Sequence, residues 1–197
     1  MGKRITLQKR GKGSMRYRSR RQAFIYRIGY PLGEGKAKVL KLIHSPGHTA
    51  PLAKLSFNNK VFYNPAFNNM VEGMEIQLGG TEAKEGNILT LKEIPTGTLV
   101  YNIELRPNDG GKFIRTGGNK ATVTKKFEGR VSVLMPSKRE IGFDERCRAT
   151  IGTIAGHGRL DKPFMTAGRK FYLMRAKHRL WPRTSAVKMN AVAHPFG

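Results

Sequence analysis

The charged residues of this chain are distributed so unevenly that they limit what its two ends can fold into. The sequence contains 37 Lys and Arg residues against 13 Asp and Glu residues, a net charge of +24 over 197 residues. Residues 1–21 hold nine basic residues and no acid, and residues 159–197 hold nine more with Asp161 as their single acid. Like charge at this density opposes a compact state unless a polyanion neutralises it. The pattern therefore predicts two extended basic arms around a nearly ordinary domain region.

The composition leaves nucleic acid, an anionic membrane surface or an acidic protein as the polyanion. No run approaches the roughly 20 apolar residues of a membrane span, and no apolar signal-peptide core follows the basic N-terminus. The first arm also lacks the apolar periodicity of an amphipathic helix. Its Gly11 and Gly13 would let the backbone approach a phosphate. RNA is therefore the favoured partner, and a single cysteine makes the cytosol the default compartment.

Short apolar runs broken by turn residues fill the middle of the chain. LAKLSF at 52–57 stops at Asn58-Asn59, and KVFYNP follows at 60–65. ATVTKKFEGRVSVLMPSKREIGF at 121–143 resembles a pair of hairpins with turns near Glu128-Gly129 and Ser137-Lys138. This spacing predicts a mainly β fold of two small barrels rather than a helical bundle.

The predicted organisation has four segments and one helix. A boundary is placed near Ile94-Pro95-Thr96-Gly97, where a turn separates two runs of strands. The segments are a basic N-terminal arm at 1–21, a barrel at 22–95, a second barrel at 96–168 and a basic C-terminal extension at 169–197. The one helix expected runs from about Arg169 to His178.

Residues that could carry chemistry are few. The five histidines, His44, His48, His157, His178 and His194, show no metal-ligand spacing, and a single cysteine excludes a Cys-rich zinc site. Nucleophile and P-loop motifs are absent from the sequence. Cys147 lies between Arg146 and Arg148, which would lower its pKa, but a small buried strand residue is the preferred interpretation. We expect no catalytic residue and no metal site.

Two glycine-rich loops and a set of aromatic residues indicate contact with RNA. The loops at 107–123 and 152–163 mix glycines with basic side chains, and their backbone amides could meet phosphates or simply form hairpins. Aromatic residues that lie among the basic ones could stack on unpaired bases or pack in a core: Tyr17, Phe24, Tyr26, Phe171, Tyr172 and Trp181. For Trp181 and Arg183, in RLWPR, a role facing RNA is at least as well supported as packing in a core.

Six motifs occur in an order that resembles a known family. They are RGKGS at 10–14, SPGHTAPLA at 45–53, PNDGGKFIRTGG at 107–118, CRATIG at 147–152, GRLDKP at 158–163 and MNAVAHPFG at 189–197. Together they resemble the universal L2 family of large-subunit ribosomal proteins, and the ending is similar to archaeal or eukaryote-type members. The resemblance implies an OB-like barrel followed by an SH3-like barrel, with extended ends threading through rRNA. It also implies binding near the peptidyl transferase centre and a part in subunit association.

The charge pattern and the resemblance together give a set of candidate rRNA-binding residues. They are Lys3, Arg4, Lys9, Arg10, Lys12, Arg16, Arg18, Arg20, Arg21, Lys112, Arg115, Lys120, Arg159, Arg169, Arg175, Lys177, Arg179, Trp181, Arg183, Lys188, Asn190 and His194. The resemblance implies that His194 is a scaffold contact rather than a base. Expected partners are large-subunit rRNA, neighbouring large-subunit proteins and the small subunit, without a membrane or homo-oligomer. No cofactor is expected apart from rRNA-associated magnesium.

Two other functions stay open at this point. A free-standing RNA-binding translation or ribosome-assembly factor would use the same barrels, which recur in such proteins. An enzyme with His194 as its base is the weaker alternative, because no acid or nucleophile accompanies that residue and a terminal histidine is hard to preorganise.

Overall fold

Two compact units divide the chain. The computed structural model describes residues 3–15, 17–18 and 21–197. Residues 24–162 form one unit, and the described residues of 1–23 join residues 163–197 in the other. We call them the β unit and the terminal unit.

Ten strands build the β unit, which confirms the prediction of a mainly β fold. They are β1 (Gly35–Ile43), β2 (Leu52–Phe57), β3 (Lys60–Pro65), β4 (Glu75–Leu78), β5 (Ile88–Thr90), β6 (Leu99–Tyr101), β7 (Ala121–Phe127), β8 (Arg130–Leu134), β9 (Glu140–Asp144) and β10 (Arg148–Ile151). β2 and β3 coincide with the runs LAKLSF and KVFYNP. In β8 the residues alternate between buried and more accessible positions, as expected for a strand with one face on a core.

The strands form one sheet in the order β3-β2-β1-β4-β5-β10-β6-β7-β8-β9. All pairings are antiparallel except β4 with β5, which meet at the single parallel pair Leu78 and Ile88. Asn58 and Asn59 turn the chain between β2 and β3 with φ angles of 46° and 61°. Asparagine tolerates this left-handed region and favours such tight hairpin turns. The predicted turn at Asn58-Asn59 is therefore confirmed.

The buried hydrophobic side chains described in the β unit form three clusters, of which two are large. One contains Val123, Val133 and Phe143, and another contains Val39 and Leu55. Each core is small, as expected for short strands that alternate between a buried and a solvated face. The arrangement is consistent with a fold rich in small barrels.

The two large cores do not divide at one point of the sequence, because each contains residues from the middle strands. Leu89 and Leu91 pack in the core of the later strands, whereas Tyr101 and Ile154 pack in that of the earlier strands. The predicted boundary near residue 95 and the limits of the two arms stay predictions.

The terminal unit contains short helices, and Ala23 is the only buried residue in the part of this unit that the structure describes. α1 (Thr6–Gly11) was not expected from the sequence, whereas α2 (Ala167–Ala176) lies close to the predicted helix from Arg169 to His178. Neither helix contains a buried residue. Since helices of this length are marginal by themselves, their stability has to come from packing or a partner. Among the described residues, no helix combines the length and apolar character needed to cross a bilayer.

Candidate nucleic-acid interface

The terminal unit carries most of the positive charge and no acidic side chain. Sixteen of the 37 Lys and Arg residues and none of the 13 Asp and Glu residues fall within 1–23 and 163–197, a net charge of +16. The β unit holds the other 21 basic residues and all 13 acids, a net charge of +8. Since the terminal unit has no carboxylate side chain, the groups that neutralise its cations must come from outside it.

Most of the predicted RNA-binding side chains in the terminal unit are exposed to solvent. Arg16 and Arg20 lie outside the described residues, as does the side chain of Arg21. Lys177 and Trp181 are half-buried. The exposed residues are Lys3, Arg4, Lys9, Arg10, Lys12, Arg18, Arg169, Arg175, Arg179, Arg183, Lys188 and Asn190.

The two ends of the chain meet inside the terminal unit. The backbone N–H of Lys3 donates to the carbonyl oxygen of Val192 at 2.7 Å. Further along the first segment, Arg18 Nε donates to the carbonyl oxygen of Gly13 at 2.7 Å, which folds the arm back on itself. Charge counting revealed two basic segments but gave no sign that they pair.

Asn190 organises the turn at the C-terminal tip. Its carbonyl oxygen accepts hydrogen bonds from the N–H groups of Ala193 (2.8 Å) and His194 (3.1 Å). Its side-chain Oδ1 accepts from the N–H of Val192 at 3.2 Å. The side-chain Nδ2 is then the group of Asn190 suited to donate to an RNA oxygen, as the sequence predicts.

His194 lies in a second turn at the tip. The N–H of Phe196 donates to His194 Nδ1 at 3.1 Å, so in the neutral imidazole the ring proton lies on Nε2. The N–H of Gly197 donates to the carbonyl oxygen of His194 at 2.9 Å. Pro195 therefore lies inside this turn rather than in an extended tip. A proline fits the second position of a turn because its φ is already fixed.

Trp181 belongs to a small aromatic and cationic cluster rather than to a core. Lys170 Nζ lies 5.3 Å from the centroid of the Trp181 ring. Tyr17, Phe171 and Arg175 border a crevice beside it. Aromatic faces next to cations are typical of sites that stack unpaired bases. A base could stack on the opposite face of the indole, or on the same face after displacing Lys170.

The two glycine-rich loops of the β unit lie against each other. The N–H of Gly118 donates to the carbonyl oxygen of Ile154 at 3.1 Å, and Arg159 Nε donates to that of Gly117 at 3.2 Å. A Cβ on Gly118 would lie 2.6 Å from the Cα of His157, far inside contact distance. Glycine is therefore required at this crossing, and the loops form one surface.

A third loop completes this surface. The N–H of Gly117 donates to Thr49 Oγ1 at 3.0 Å, and a Cβ on Gly117 would lie 2.8 Å from the carbonyl oxygen of Thr49. His48 lies next to Thr49, and its pattern in the sequence predicted no role for it. The motif SPGHTA indicated a loop at this position. Residue spacing alone could not predict that this loop contacts the glycine-rich loops far along the chain.

The glycine amides of this surface are occupied within the protein. The N–H of Gly110 donates to Glu104 Oε1 at 3.1 Å, and that of Gly111 donates to Asp109 Oδ1 at 3.0 Å. Gly117 and Gly118 also donate internally, as described above. The interpretation in which these four amides meet phosphates is therefore wrong. The exposed basic side chains in the same loops are Lys112, Lys120 and Arg159.

Arg115 is the least exposed of the predicted RNA-binding residues in the β unit. Its guanidinium NH2 group reaches the carbonyl oxygen of Ile28 at 3.5 Å, and partial burial lowers its pKa. Burial and the charge of Arg115 also lower the pKa of His48 below 6.5. Ser45 Oγ lies 2.8 Å from His48 Nδ1, and the Phe24 ring lies edge-on at 5.5 Å. At neutral pH the positive charge of this pair therefore belongs to Arg115.

A buried ion pair fixes the start of the loop at 107–123. Glu104 is fully buried and accepts from Arg148 NH2 at 2.9 Å, while the Arg148 side chain is 14% exposed. The same carboxylate accepts from the N–H groups of Arg148 (2.9 Å), Asn108 (3.2 Å) and Gly110 (3.1 Å). The guanidinium also lies 5.3 Å from the centroid of the Tyr30 ring. A buried charge is tolerated when it is paired and its hydrogen-bonding groups all have partners, as they do here.

Cys147 is a structural residue and not a reactive thiol. It is fully buried in the core of the later strands. Burial, followed by the charges of Asp144 and Glu104, raises the pKa of its thiol to about 11. The predicted burial of Cys147 is confirmed, but the residue lies in the turn just before β10 rather than in a strand. In the described ranges, no group of three His, Cys, Asp or Glu side chains has an arrangement that could hold a metal ion.

Comparison with known proteins places the chain in a family. The sequence model described as "Ribosomal Proteins L2, C-terminal domain" matches residues 84–197, more than half of the chain. The chain belongs to the ribosomal protein L2 family. It is 43% identical to the large ribosomal subunit protein uL2 of Korarchaeum cryptofilum over 204 aligned residues, covering all of this chain and 83% of that protein.

Other L2 relatives give the same result. Identity is 42% to the uL2 protein of Pyrobaculum aerophilum, with 83% of that protein covered, and 43% to that of Methanospirillum hungatei, with 86% covered. Each of these alignments covers the whole chain. The resemblance noted in the sequence is confirmed, and its archaeal character agrees with these L2 relatives.

Proposed function

We propose that this protein is a structural constituent of the large ribosomal subunit. It binds large-subunit rRNA near the peptidyl transferase centre, supports the architecture of that region and contributes to subunit association. Its partners are rRNA, neighbouring large-subunit proteins and the small subunit, and it resides on cytoplasmic ribosomes. Magnesium ions associated with the rRNA would share in neutralising phosphates. The names of the L2 relatives support the assignment to the large subunit.

One observation carries the proposal at the level of chemistry. The terminal unit has a charge of +16 without an acidic side chain, and most of its described predicted contact residues are exposed. RNA supplies phosphates at regular spacing and unpaired bases, so it can neutralise the cations and cover the aromatic cluster around Trp181.

The β unit contributes a rigid platform with a smaller cationic surface. The three joined loops present Lys112, Lys120 and Arg159 as exposed side chains, with Arg115 partly recessed. Because the loop amides are engaged internally, recognition there would depend on the side chains. Cations on a fixed loop lose less conformational freedom on binding than cations on a mobile arm.

His194 acts in this proposal as a hydrogen-bond donor and not as a base. Its Nδ1 is engaged by the N–H of Phe196, which leaves the Nε2 proton available for an RNA oxygen. The terminal unit contains no carboxylate side chain that could orient or polarise the imidazole. A catalytic role would need such a partner.

Fractionation of native lysate on sucrose gradients tests the structural role. We expect the protein to sediment with the large subunit at moderate and at high salt. Release at high salt, or a large free pool, would instead favour a free-standing RNA-binding factor that cycles on and off ribosomes.

Binding of the purified chain to a large-subunit rRNA fragment tests the site. Each of Arg183→Gln and Lys188→Gln should weaken binding and reduce the slope of log K against log salt by about one. Lys60→Gln is the matched control, because Lys60 is exposed at the hairpin between β2 and β3 and is not among the predicted contacts. Equal slopes for all three variants would argue against the chosen residues.

A further inference from the structure

The terminal unit contains a cleft that its cationic surface does not explain. Residues 3–9 line one side of it and residues 180–194 the other. Its volume is about 640 Å³. This lies within the roughly 300–1,000 Å³ range of ligand-binding clefts.

Aliphatic side chains form much of the lining of this cleft. Ile5 and Leu7 contribute from the first segment, and Leu180 and Met189 from the second. Leu7 is 64% exposed although it belongs to an apolar surface. An exposed apolar cleft with a polar surround indicates an interaction site more often than an accident of folding.

Basic side chains line the same cleft together with the aliphatic ones. The cleft is also lined by Lys3, Arg4, Lys9, Arg183 and His194. With no acidic side chain anywhere in the terminal unit, an occupant with anionic flanks is the electrostatically complementary one. The occupant therefore needs an apolar face between acidic edges.

The chemistry of the lining distinguishes between a nucleobase and a peptide. Bases bind on aromatic rings or on guanidinium planes. Among the described lining residues, His194 has the only aromatic ring and Arg4 and Arg183 have the only guanidinium planes, while Trp181 lies at a different crevice. The aliphatic part of the lining offers no plane on which a base could stack. Aliphatic side chains such as Leu7 and Met189 instead suit the apolar residues of an amphipathic helix, which enter a groove at positions i, i+3, i+4 and i+7.

We propose that this cleft is a docking site for an acidic amphipathic helix of a partner protein. Apolar residues of that helix enter between Leu7 and Met189, and its carboxylates pair with the surrounding cations. The helix would cover part of the surface assigned above to rRNA, so the two ligands compete. The proposal does not depend on the rRNA assignment being correct.

A designed peptide tests the proposal with the full chain. The probe is a fluorescein-labelled peptide of about 18 residues with Leu at i, i+3, i+4 and i+7, Glu beside the leucines and helix-favouring Ala at the remaining positions. A shuffled peptide of identical composition has the same charge but no apolar face. By fluorescence anisotropy at physiological salt, we expect the patterned peptide to bind at least about tenfold more tightly. Equal affinities would show charge attraction alone and would overturn the proposal.

Matched leucine variants locate the binding. Leu7→Gln should weaken the patterned peptide by about fivefold or more, because an apolar contact in the cleft is lost. Leu160→Gln is the control, since Leu160 is 79% exposed and does not line the cleft. Equal effects of the two substitutions would overturn the proposal. Circular dichroism of each variant establishes that the fold is retained, and Met189→Gln replaces Leu7→Gln if it is not.

A single-stranded RNA oligonucleotide distinguishes the other class of ligand. If Leu7→Gln weakens RNA binding while leaving the patterned peptide unaffected, the cleft is an RNA site and the proposal fails. If the patterned peptide competes with RNA and only the peptide responds to Leu7→Gln, the proposal holds. Loss of co-sedimentation with the large subunit would count against the ribosomal function but not against this site.

Discussion

The ion pair between Glu104 and Arg148 offers the sharpest test of how the β unit is held together. In Glu104→Gln the side chain keeps its shape but loses its charge, while Arg148 stays nearly buried. The carboxylate accepts three backbone N–H groups as well as the guanidinium. Removing one partner of such a pair typically costs about 3–5 kcal/mol of folding free energy, because an uncompensated buried charge remains. For a unit of this size, the melting temperature should fall on the order of 10 °C.

Glu75→Gln is the matched control for this substitution. Glu75 pairs with Lys36 at 3.4 Å, but the two side chains are 63% and 75% exposed. An exposed pair of this kind contributes about 0–1 kcal/mol. Urea unfolding of the full chain, followed by far-ultraviolet circular dichroism, measures both variants against the parent. If Glu104→Gln destabilises the protein no more than Glu75→Gln does, the buried pair does not have the role assigned to it.

Three further predictions concern other parts of the β unit. Cys147 should resist an aromatic disulfide reagent at pH 8 in the folded protein and react once urea unfolds it, since its pKa is about 11; rapid reaction without urea would contradict its burial. His48 should titrate below 6.5 by NMR, and Arg115→Gln should raise its pKa by removing a nearby positive charge. As the pH falls, the unfolded state protonates His48 before the folded state does. The contribution of His48 to the free energy of unfolding is therefore complete above pH 6.5 and decreases as the pH falls below that value. An unchanged pKa of His48 in Arg115→Gln would refute the coupling. Gly118→Ala and Gly97→Ala both place a side chain at a φ near 80°, which costs roughly 1–2 kcal/mol of folding free energy. Only the Gly118→Ala side chain would also clash with backbone, at His157, so this variant should be the less stable of the two. Equal losses of stability would contradict a tight crossing of the loops.

The strands of the β unit were predictable because their signals are local. The run at 52–57 alternates, and Asn58-Asn59 supplies the left-handed turn that follows. Such patterns depend on side-chain direction and on backbone conformation over a few residues. The helix near residue 170 was predictable for the same reason.

The contacts that organise the candidate site were not predictable because they join distant positions. Glu104 and Arg148 are 44 residues apart, and Gly117 and Thr49 are 68 residues apart. No periodicity in one sequence links such pairs. The sequence shows the glycines at 117 and 118. Glycine is favoured both where two loops approach each other closely and where a loop binds phosphate. Only the geometry distinguishes the two.

The pairing of the first and last segments has a consequence for the time course of synthesis. Residues 3–23 are made first, and residues 163–197 are made only after the 139 residues of the β unit. At translation rates of about 5–20 residues per second, this delay lasts roughly 7–28 s. Throughout that interval the acceptor for the Lys3 N–H, the carbonyl of Val192, does not yet exist. A nascent chain therefore carries the nine cations of residues 1–21 for many seconds before the segment that accepts the Lys3 N–H has been translated.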